Sequence, residues 1–196
     1  VEHAGDINGK TVLVIGAANA VGAYCVQMAK RKGARVIGTV GSHQKAELAK
    51  ALGAEHTIDY KQTDYLERLI DLVGVDGIDV IIDMDFSSVS TLVTASVLKA
   101  HGTIVCYGSN DMSGVTFDFR NWLYKSITLK LFLVYDLTTV QRASALEGLG
   151  ALLQENALQH DVGARFSLAE TAIAHETVEQ GAVLGNVVVE LVSNSS

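Results

Sequence analysis

Apolar runs and amphipathic segments alternate along almost the whole chain. The run Thr11-Val12-Leu13-Val14-Ile15 is typical of a buried strand, and the segment 21–32 that follows repeats its apolar residues at helical spacing. Gly33 and Gly53 each mark the end of a helix. The same alternation predicts further strands at 35–39, 56–58, 79–83, 103–107, 127–134 and 186–192, a short extended segment at 166–168, and further helices at 44–52, 64–73, 90–99, 139–155 and 172–180.

This order of elements predicts the fold class. Strands separated by helices of about ten residues form right-handed βαβ crossovers, which give a parallel sheet covered on both faces. Six such strands predict an α/β, Rossmann-type doubly wound six-stranded parallel sheet with helices on both faces. A length of 196 residues suits one packed domain and is short for two. We therefore expect residues 1–196 to form a single dinucleotide-binding domain.

Composition and charge exclude several classes of function. A net charge of −7 without a basic stripe argues against a nucleic-acid partner. No apolar run is long enough for a membrane span and no signal-peptide pattern opens the chain, so we expect a cytoplasmic protein. Cys25 and Cys106 are too far apart for a zinc site or a disulfide framework, and the six His lack metal-ligand spacing. We predict two reduced core cysteines and no metal.

The turn after the first strand is a candidate phosphate site. A buried strand, a tight turn of small residues and a helix together present backbone N–H groups to a phosphate. Of the three positions where the dinucleotide fingerprint has glycine, Ala17, Asn19 and Gly22, only the last is glycine here. Asn19 tolerates left-handed backbone angles and can itself donate a hydrogen bond. We therefore predict a weakened or rearranged pyrophosphate site, the alternative being a strand-to-helix turn without a ligand.

The end of the second strand indicates which dinucleotide would bind. A protein that binds NAD has Asp or Glu there to hold the ribose hydroxyls. This chain has Val40-Gly41-Ser42-His43-Gln44-Lys45, a neutral loop followed by a lysine. That arrangement suits a 2′-phosphate, which a carboxylate would repel, and favours NADP(H) over NAD(H). The alternative is a solvated helix start in which Ser42 is only the N-cap.

An ordered series of short segments resembles the quinone oxidoreductase branch of the medium-chain dehydrogenase/reductases. The series extends over essentially the whole chain, which makes it far more specific than any single motif. Its segments are 12–22, 27–30, 33–37, 45–49, 52–54, 58–60, 77–80, 102–105, 108–109 and 185–189.

The resemblance implies a cofactor domain within an enzyme. Relatives transfer hydride from NADPH to a quinone or an α,β-unsaturated carbonyl without zinc. In them this domain follows an N-terminal substrate domain, which these 196 residues do not include and to which the terminal strand and tail, 185–196, would return. The start at Val1 rather than Met also suggests a segment of a longer protein, and we expect the isolated domain to be inactive. The catalytic residues stay unknown.

The family's cofactor-binding positions carry over residue by residue. The pyrophosphate would face the first helix, the 2′-phosphate the second and third strands, and the nicotinamide half the fifth and sixth strands. In that order, the residues are Asn19, Ala20 and Val21; Ser42, Lys45 and Tyr60; and Gly108, Ser109 and Phe132.

Departures from the family pattern support a second hypothesis. Relatives often have a Val-Gly-Gly-like stretch after the fourth strand, where this chain has Met84-Asp85-Phe86-Ser87. Asp85 and Phe86 add a charge and bulk near the expected nicotinamide ribose. The chain could therefore be a non-catalytic NADP(H)-binding regulatory or dimerisation module. A domain for another adenosine ligand, such as a methyl donor, is a third possibility that the neutral Gly41-Ser42 pair disfavours.

The segment 127–134 predicts an assembly. It is apolar apart from Thr128 and Lys130, and it should lie at the edge of the sheet. An exposed edge strand of this kind needs to be paired or covered. Relatives dimerise by pairing this strand, so the resemblance implies a homodimer.

Overall fold

In the computed structural model, which describes residues 1–94, 96–111, 113–181 and 183–191, six parallel strands form one sheet in the order β3-β2-β1-β4-β5-β6. This is the predicted doubly wound sheet. The six strands are β1 (Thr11–Val14), β2 (Arg35–Val40), β3 (His56–Asp59), β4 (Ile78–Asp83), β5 (Leu98–Cys106) and β6 (Thr128–Leu131). The helices are α1 (Gly22–Arg31), α2 (His43–Ala51), α3 (Tyr65–Val73), α4 (Phe86–Thr94), α5 (Phe119–Tyr124), α6 (Thr139–Gln154) and α7 (Thr171–Gln180).

Two apolar cores cover the two faces of the sheet. Successive strand residues point to opposite faces, so Val12 and Val14 pack into one core and Leu13 into the other. The first core includes Val26 of α1 and Ala49 of α2. The second lies against α3, α4 and α5. The predicted placement of helices on both faces is therefore confirmed.

The last two strands form a separate small sheet. Strand β7 (Val162–Ser167) pairs in parallel with β8 (Asn186–Glu190), and neither joins the main sheet. The predicted end of the last strand at residue 192, like the tail 193–196, lies outside the described residues.

Three expectations about local structure were wrong. The helix predicted at 90–99 begins at Phe86 and ends by Thr94, because the chain then enters β5, where Leu98 pairs with Ile78. The strand predicted at 127–134 is shorter, because a 3-10 helix begins at Val134. Helix α5 was not predicted. Its six residues are too few for an apolar period to be read.

Cys25 and Cys106 are both buried and unpaired, as predicted. None of the helices within the described ranges is long and apolar enough to cross a membrane.

Candidate cofactor-binding site

A cleft of about 410 Å³ opens at the carboxyl ends of the first four strands. From β1 the chain runs to β2 and then β3 on one side, and it then crosses back to form β4 on the other side of β1. The cleft lies at this change of direction. Ligands of doubly wound sheets bind at this switch in strand order. The lining residues come from the turn after β1, the ends of β2, β3 and β4, the helices α2, α3 and α4, and the loop after β5. They are Ile15, Gly16, Ala18, Asn19, Thr39, Val40, Gly41, Lys45, Tyr60, Tyr65, Leu69, Met84, Asp85, Ser88, Leu92 and Asn110.

The turn after β1 is fixed by backbone contacts that require small residues. Gly16 has a φ of +69°, and its N–H donates to Thr39 Oγ1 at 3.0 Å. A Cβ at Gly22 would lie 2.1 Å from the carbonyl oxygen of Gly16, so only glycine lets α1 begin this close to the turn. Gly22 therefore provides the close helix–strand packing that the third position of the fingerprint requires.

Asn19 covers the N-terminus of α1 with its own side chain. Its Oδ1 accepts hydrogen bonds from the N–H of Gly22 at 2.6 Å and from the N–H of Val21 at 3.1 Å. Its Nδ2 donates to Met84 Sδ on the opposite side of the cleft. The Val21 and Gly22 N–H groups, two backbone donors at the start of α1, are thus already bonded within the chain. Ala20 and Val21 lie beside them at the surface, with Val21 51% exposed.

The end of β2 is a basic and hydroxyl-rich corner. Ser42 is the N-cap of α2, and its Oγ accepts from the Lys45 N–H at 3.3 Å. The half-buried Lys45 and the exposed Tyr60 both line the cleft. A Cβ at Gly41 would meet the Tyr60 hydroxyl at 2.8 Å and Lys61 Cε at 3.1 Å. The structure thus brings Lys45 and Tyr60 to one cleft and places Ser42 at its rim.

Lys61 is the residue of this corner that the sequence reasoning missed. It directly follows Tyr60, and its stem reaches back to Gly41 from the end of the neighbouring strand. The signal was available, since residues just after parallel neighbouring strands emerge at the same edge of a sheet. Of the ion pairs between described residues, none engages Lys45 or Lys61.

The opposite wall of the cleft is acidic and bonded across two loops. Asp85 accepts from the Asn110 N–H and from Asn110 Nδ2, both at 2.9 Å, and from Ser87 Oγ at 2.5 Å. Partial burial raises the pKa of Asp85, but the hydrogen bonds from Asn110, Ser87 and Ser88 outweigh it and hold that pKa below its ordinary value. Asp85 therefore ties the loop after β4 to the loop after β5.

Asp83, at the end of β4, is a buried carboxyl beneath this wall. Its Oδ1 accepts from the Asp85 N–H at 2.7 Å, whereas its buried Oδ2 has no hydrogen-bond partner among the described residues. Burial raises the pKa of Asp83 to about 6. Burial likewise raises the pKa of the neighbouring Cys106 thiol to about 11, so this cysteine is not a reactive nucleophile.

The remaining predicted contacts lie outside the lining of this cleft. Gly108 follows β5, and its carbonyl accepts from the Phe86 N–H at 3.1 Å. Ser109 Oγ donates to the Asp111 carbonyl at 2.8 Å. Phe132 packs on the core face of the sheet, with its ring 4.5 Å from that of His3 and 6.2 Å from that of Tyr107. Within the described ranges, no three His, Cys, Asp or Glu side chains are grouped to hold a metal ion.

Comparison with known proteins identifies the family. The sequence profile described as zinc-binding dehydrogenase matches residues 20–148, more than half of the chain. The chain belongs to this family. Within the medium-chain dehydrogenase/reductase superfamily, it corresponds to the C-terminal cofactor-binding domain. The family resemblance and the Rossmann-type fold predicted from the sequence are both confirmed.

The relatives that match this chain include proteins with different names. A 2-haloacrylate reductase from a Burkholderia species is 30% identical over 186 residues, covering 92% of this chain and 55% of that protein. A crystal structure of Escherichia coli quinone oxidoreductase complexed with NADPH superposes with a TM-score of 0.81 at 26% identity, over 95% of this chain and 59% of that one. An NAD-dependent alcohol dehydrogenase structure gives a TM-score of 0.82 at 29% identity, over 98% and 54%. The chain spans about half the length of the curated relatives it matches.

Proposed function

We propose that the cleft binds NADP(H), with the adenosine 2′-phosphate at the end of β2. The observation that carries this proposal is the corner formed by Lys45, Lys61 and Tyr60 around Gly41. It offers two cations and a phenol hydroxyl. Among the described residues, neither cation forms a close ion pair, and the charge of Lys61 also acts on the neighbouring carboxylate of Asp59. Of the residues that line the cleft, the single acid is Asp85, on the opposite wall. A 2′-phosphate gains charge-assisted hydrogen bonds in such a corner.

The rest of the dinucleotide would follow the edge of the sheet from this corner. Ser42 would complete the 2′-phosphate site, and the start of α1, at Asn19, Ala20 and Val21, would receive the pyrophosphate. The nicotinamide half would extend toward Gly108, Ser109 and Phe132. The strand-to-helix turn supports this path, because it starts α1 at the carboxyl edge of the sheet, where ligands of doubly wound sheets bind.

The proposed activity is that of an oxidoreductase acting on a quinone or an α,β-unsaturated carbonyl, without zinc. NADPH supplies the hydride when bound, while the protein binds and orients it and excludes water. Residues 1–196 would act as the cofactor domain of a longer protein, with 185–196 returning to an N-terminal substrate domain. The family resemblance and the named relatives support this proposal. Two buried free cysteines fit a reducing compartment such as the cytoplasm.

A non-catalytic NADP(H)-binding module is the second candidate function. Asn19 favours it, because its side chain holds the N–H groups that a pyrophosphate would use. Asp85 favours it as well, since it places a carboxylate on the nicotinamide side of the cleft. A longer protein that includes the N-terminal domain and oxidises NADPH with quinones or enones would exclude this candidate.

We also propose that two copies pair through the segment 127–134. Strand β6 has a neighbour only on one side, and Leu131 and Leu133 are 65% and 59% exposed there. An unpaired apolar edge favours association with a second strand. Sedimentation at tens of micromolar should give a dimer, and Leu131→Lys should give a folded monomer. A monomeric mass for the unchanged chain would contradict the proposal.

The binding proposal is tested by calorimetry with NADPH and NADH in separate titrations. Lys45→Ala should weaken NADPH binding by about tenfold to a hundredfold and leave NADH binding unchanged, since only NADPH carries the 2′-phosphate. Lys50→Ala is the matched control, because Lys50 lies on the same helix and is ion-paired with Glu47 at 3.1 Å. Equal weakening of both dinucleotides, or no binding of either, would refute the NADP(H) site.

A further inference from the structure

We infer that the side chain of Asn19 is an internal competitor of the cofactor, which must displace it from the N-terminus of α1. This inference rests on the proposed function. The fingerprint has glycine at this position, so the backbone N–H groups of the helix are open to a phosphate. In this chain, a carbonyl oxygen of the protein itself lies on them.

The first step of the argument is the bonding of Asn19 Oδ1. The Gly22 N–H donates to it at 2.6 Å and the Val21 N–H at 3.1 Å. These donors belong to the first turn of α1, where the helix dipole adds a partial positive charge. The negative end of the Asn19 amide therefore takes the position and the hydrogen bonds of a phosphate oxygen.

The second step is the anchor on the other end of the same amide. Asn19 Nδ2 donates to Met84 Sδ, and Met84 directly follows β4. A Cβ at Gly16 would lie 2.5 Å from Asn19 Nδ2 and 2.7 Å from Met84 Sδ, so both groups lie over the turn. The amide therefore bridges the crevice between β1 and β4 through which a dinucleotide passes. Met84 thus fixes the Asn19 amide by its nitrogen while the oxygen of the same amide stays on the helix.

Asn19 could instead have the opposite role and help to bind the phosphate, and this alternative can be tested. An asparagine at this position could donate Nδ2 to the phosphate and so help to bind it. A direct donor and an internal competitor predict opposite effects when the amide is removed. The sign of the change in affinity therefore separates the two roles.

The experiment titrates the protein, Asn19→Ala and Asn19→Asp with NADPH by calorimetry. Asn19→Ala frees two backbone donors and should bind NADPH about fivefold more tightly. Asn19→Asp keeps an acceptor of the same shape and adds a charge that repels phosphate, so it should bind at least about fivefold more weakly. Met84→Leu removes the sulfur but keeps Asn19 and every backbone donor, and it should tighten binding by about twofold.

Adenosine 2′-monophosphate is the control ligand. It carries the 2′-phosphate but no phosphate that reaches α1. Its affinity should be the same for the protein and all three variants and should fall for Lys45→Ala. Circular dichroism melting verifies that each variant is folded, and Met84→Leu serves as the test if Asn19→Ala is not.

Each outcome decides one question. Weaker NADPH binding by Asn19→Ala would show that Asn19 is a donor to the ligand and would overturn the inference. Equal NADPH affinity in all four proteins would also overturn it, with the NADP(H) site still standing. Folded proteins that bind neither NADPH nor adenosine 2′-monophosphate would instead refute the proposed function itself.

Discussion

The chain up to Trp122 and the chain after it differ sharply in how they bury apolar side chains. The buried residues of both cores come no later than Trp122, and Ile127, Leu129 and Phe132 pack against those cores only partly buried. Beyond Trp122, the buried apolar residues among those described are Leu158 and Ala174. Helix α6 has sixteen residues and buries none of them, although Leu146, Leu149 and Leu153 lie along it.

This difference shows that apolar residues have different roles in the two regions. In the first region, apolar residues stabilise the sheet that carries the cleft. In the second, Leu and Val side chains of β6, α6 and β7 are left at the surface, namely Leu131, Val140, Leu146, Leu149, Leu153 and Val162. Exposed apolar surface of this extent marks regions that contact other protein surfaces. The proposed dimer through 127–134 and the proposed contact with an N-terminal domain both fall in this second region.

Substitution of glycine by alanine should lower the free energy of unfolding in the first region and raise it in the second. Gly22→Ala would place a Cβ 2.1 Å from the Gly16 carbonyl oxygen. It should therefore lower the free energy of unfolding by more than about 4 kcal/mol. Gly148→Ala, in the exposed middle of α6, should raise it by about 0.5–1 kcal/mol, because no atom outside the adjoining helix backbone lies within 4 Å of the new Cβ. Urea denaturation measures the free energy of unfolding of both variants. A Gly22→Ala variant as stable as the unchanged protein would contradict the predicted difference between the two regions.

Truncation of apolar side chains should follow the same division. Ile81 is fully buried in β4, between β1 and β5, so Ile81→Ala should cost about 3 kcal/mol. Leu146 is 62% exposed on α6, so Leu146→Ala should cost less than about 0.5 kcal/mol in the monomer. A cost for Leu146→Ala that appears only at dimer-forming concentrations would place α6 in the interface.

The buried carboxyl of Asp83 should make stability depend on pH. Its pKa is raised from 3.8 to about 6 in the folded chain, so protonation stabilises the fold. That stabilisation is complete below about pH 4 and is lost as the pH rises through about 6. Asp83→Asn should remove this dependence and raise the free energy of unfolding at pH 8 by about 2 kcal/mol. Denaturation at pH 4.5 and at pH 8 measures this dependence. Glu176→Gln, which removes an exposed carboxyl in α7, is the control and should change the free energy of unfolding by less than about 0.5 kcal/mol.

The smallest effect concerns ion pairs between strands. Asp79 of β4 pairs with Lys99 at 2.7 Å and also accepts from the Thr11 N–H at 2.8 Å. Asp79→Ala leaves that N–H unbonded and should cost about 1 kcal/mol. Glu190 of β8 pairs with the exposed Arg165 at 3.0 Å, so Glu190→Ala should cost less than about 0.5 kcal/mol. Similar costs for the two changes in thermal melts would contradict the division.

Prediction from sequence succeeded where the signal is periodic and local. The strands β1, β2 and β4 and the helices α1, α2, α3 and α6 combine an apolar pattern with a glycine or a cap at one end. Thr138, for example, begins α6 with a capping box to Gln141. The error at 90–99 has a physical cause. Residues 86–106 are apolar on both sides of the helix-to-strand transition, so the pattern alone does not locate it.

Some of the predicted site positions come together because they follow the ends of neighbouring strands, while their role in cofactor binding stays a prediction. Lys45 and Tyr60 lie on one cleft because β2 and β3 are parallel neighbours, which the order of elements implies. Lys61 and Asn110 were missed. The position of Lys61 just after β3 was a usable signal that was overlooked. Asn110 belongs to no motif by type or spacing, and its bonds to Asp85 depend on how two loops meet.

The sequence by itself determined the parallel doubly wound sheet, the small-residue turn at the start of α1 and the neutral, lysine-bearing end of β2. These follow from apolar periodicity, from glycine and from the absence of a carboxylate, which are properties of consecutive residues. Only the tertiary structure decided that Asn19 bonds to Met84 and that Asp85 bonds to Asn110. Those partners lie far apart in the chain, so whether the bonds form depends on how the sheet places the loops beside one another.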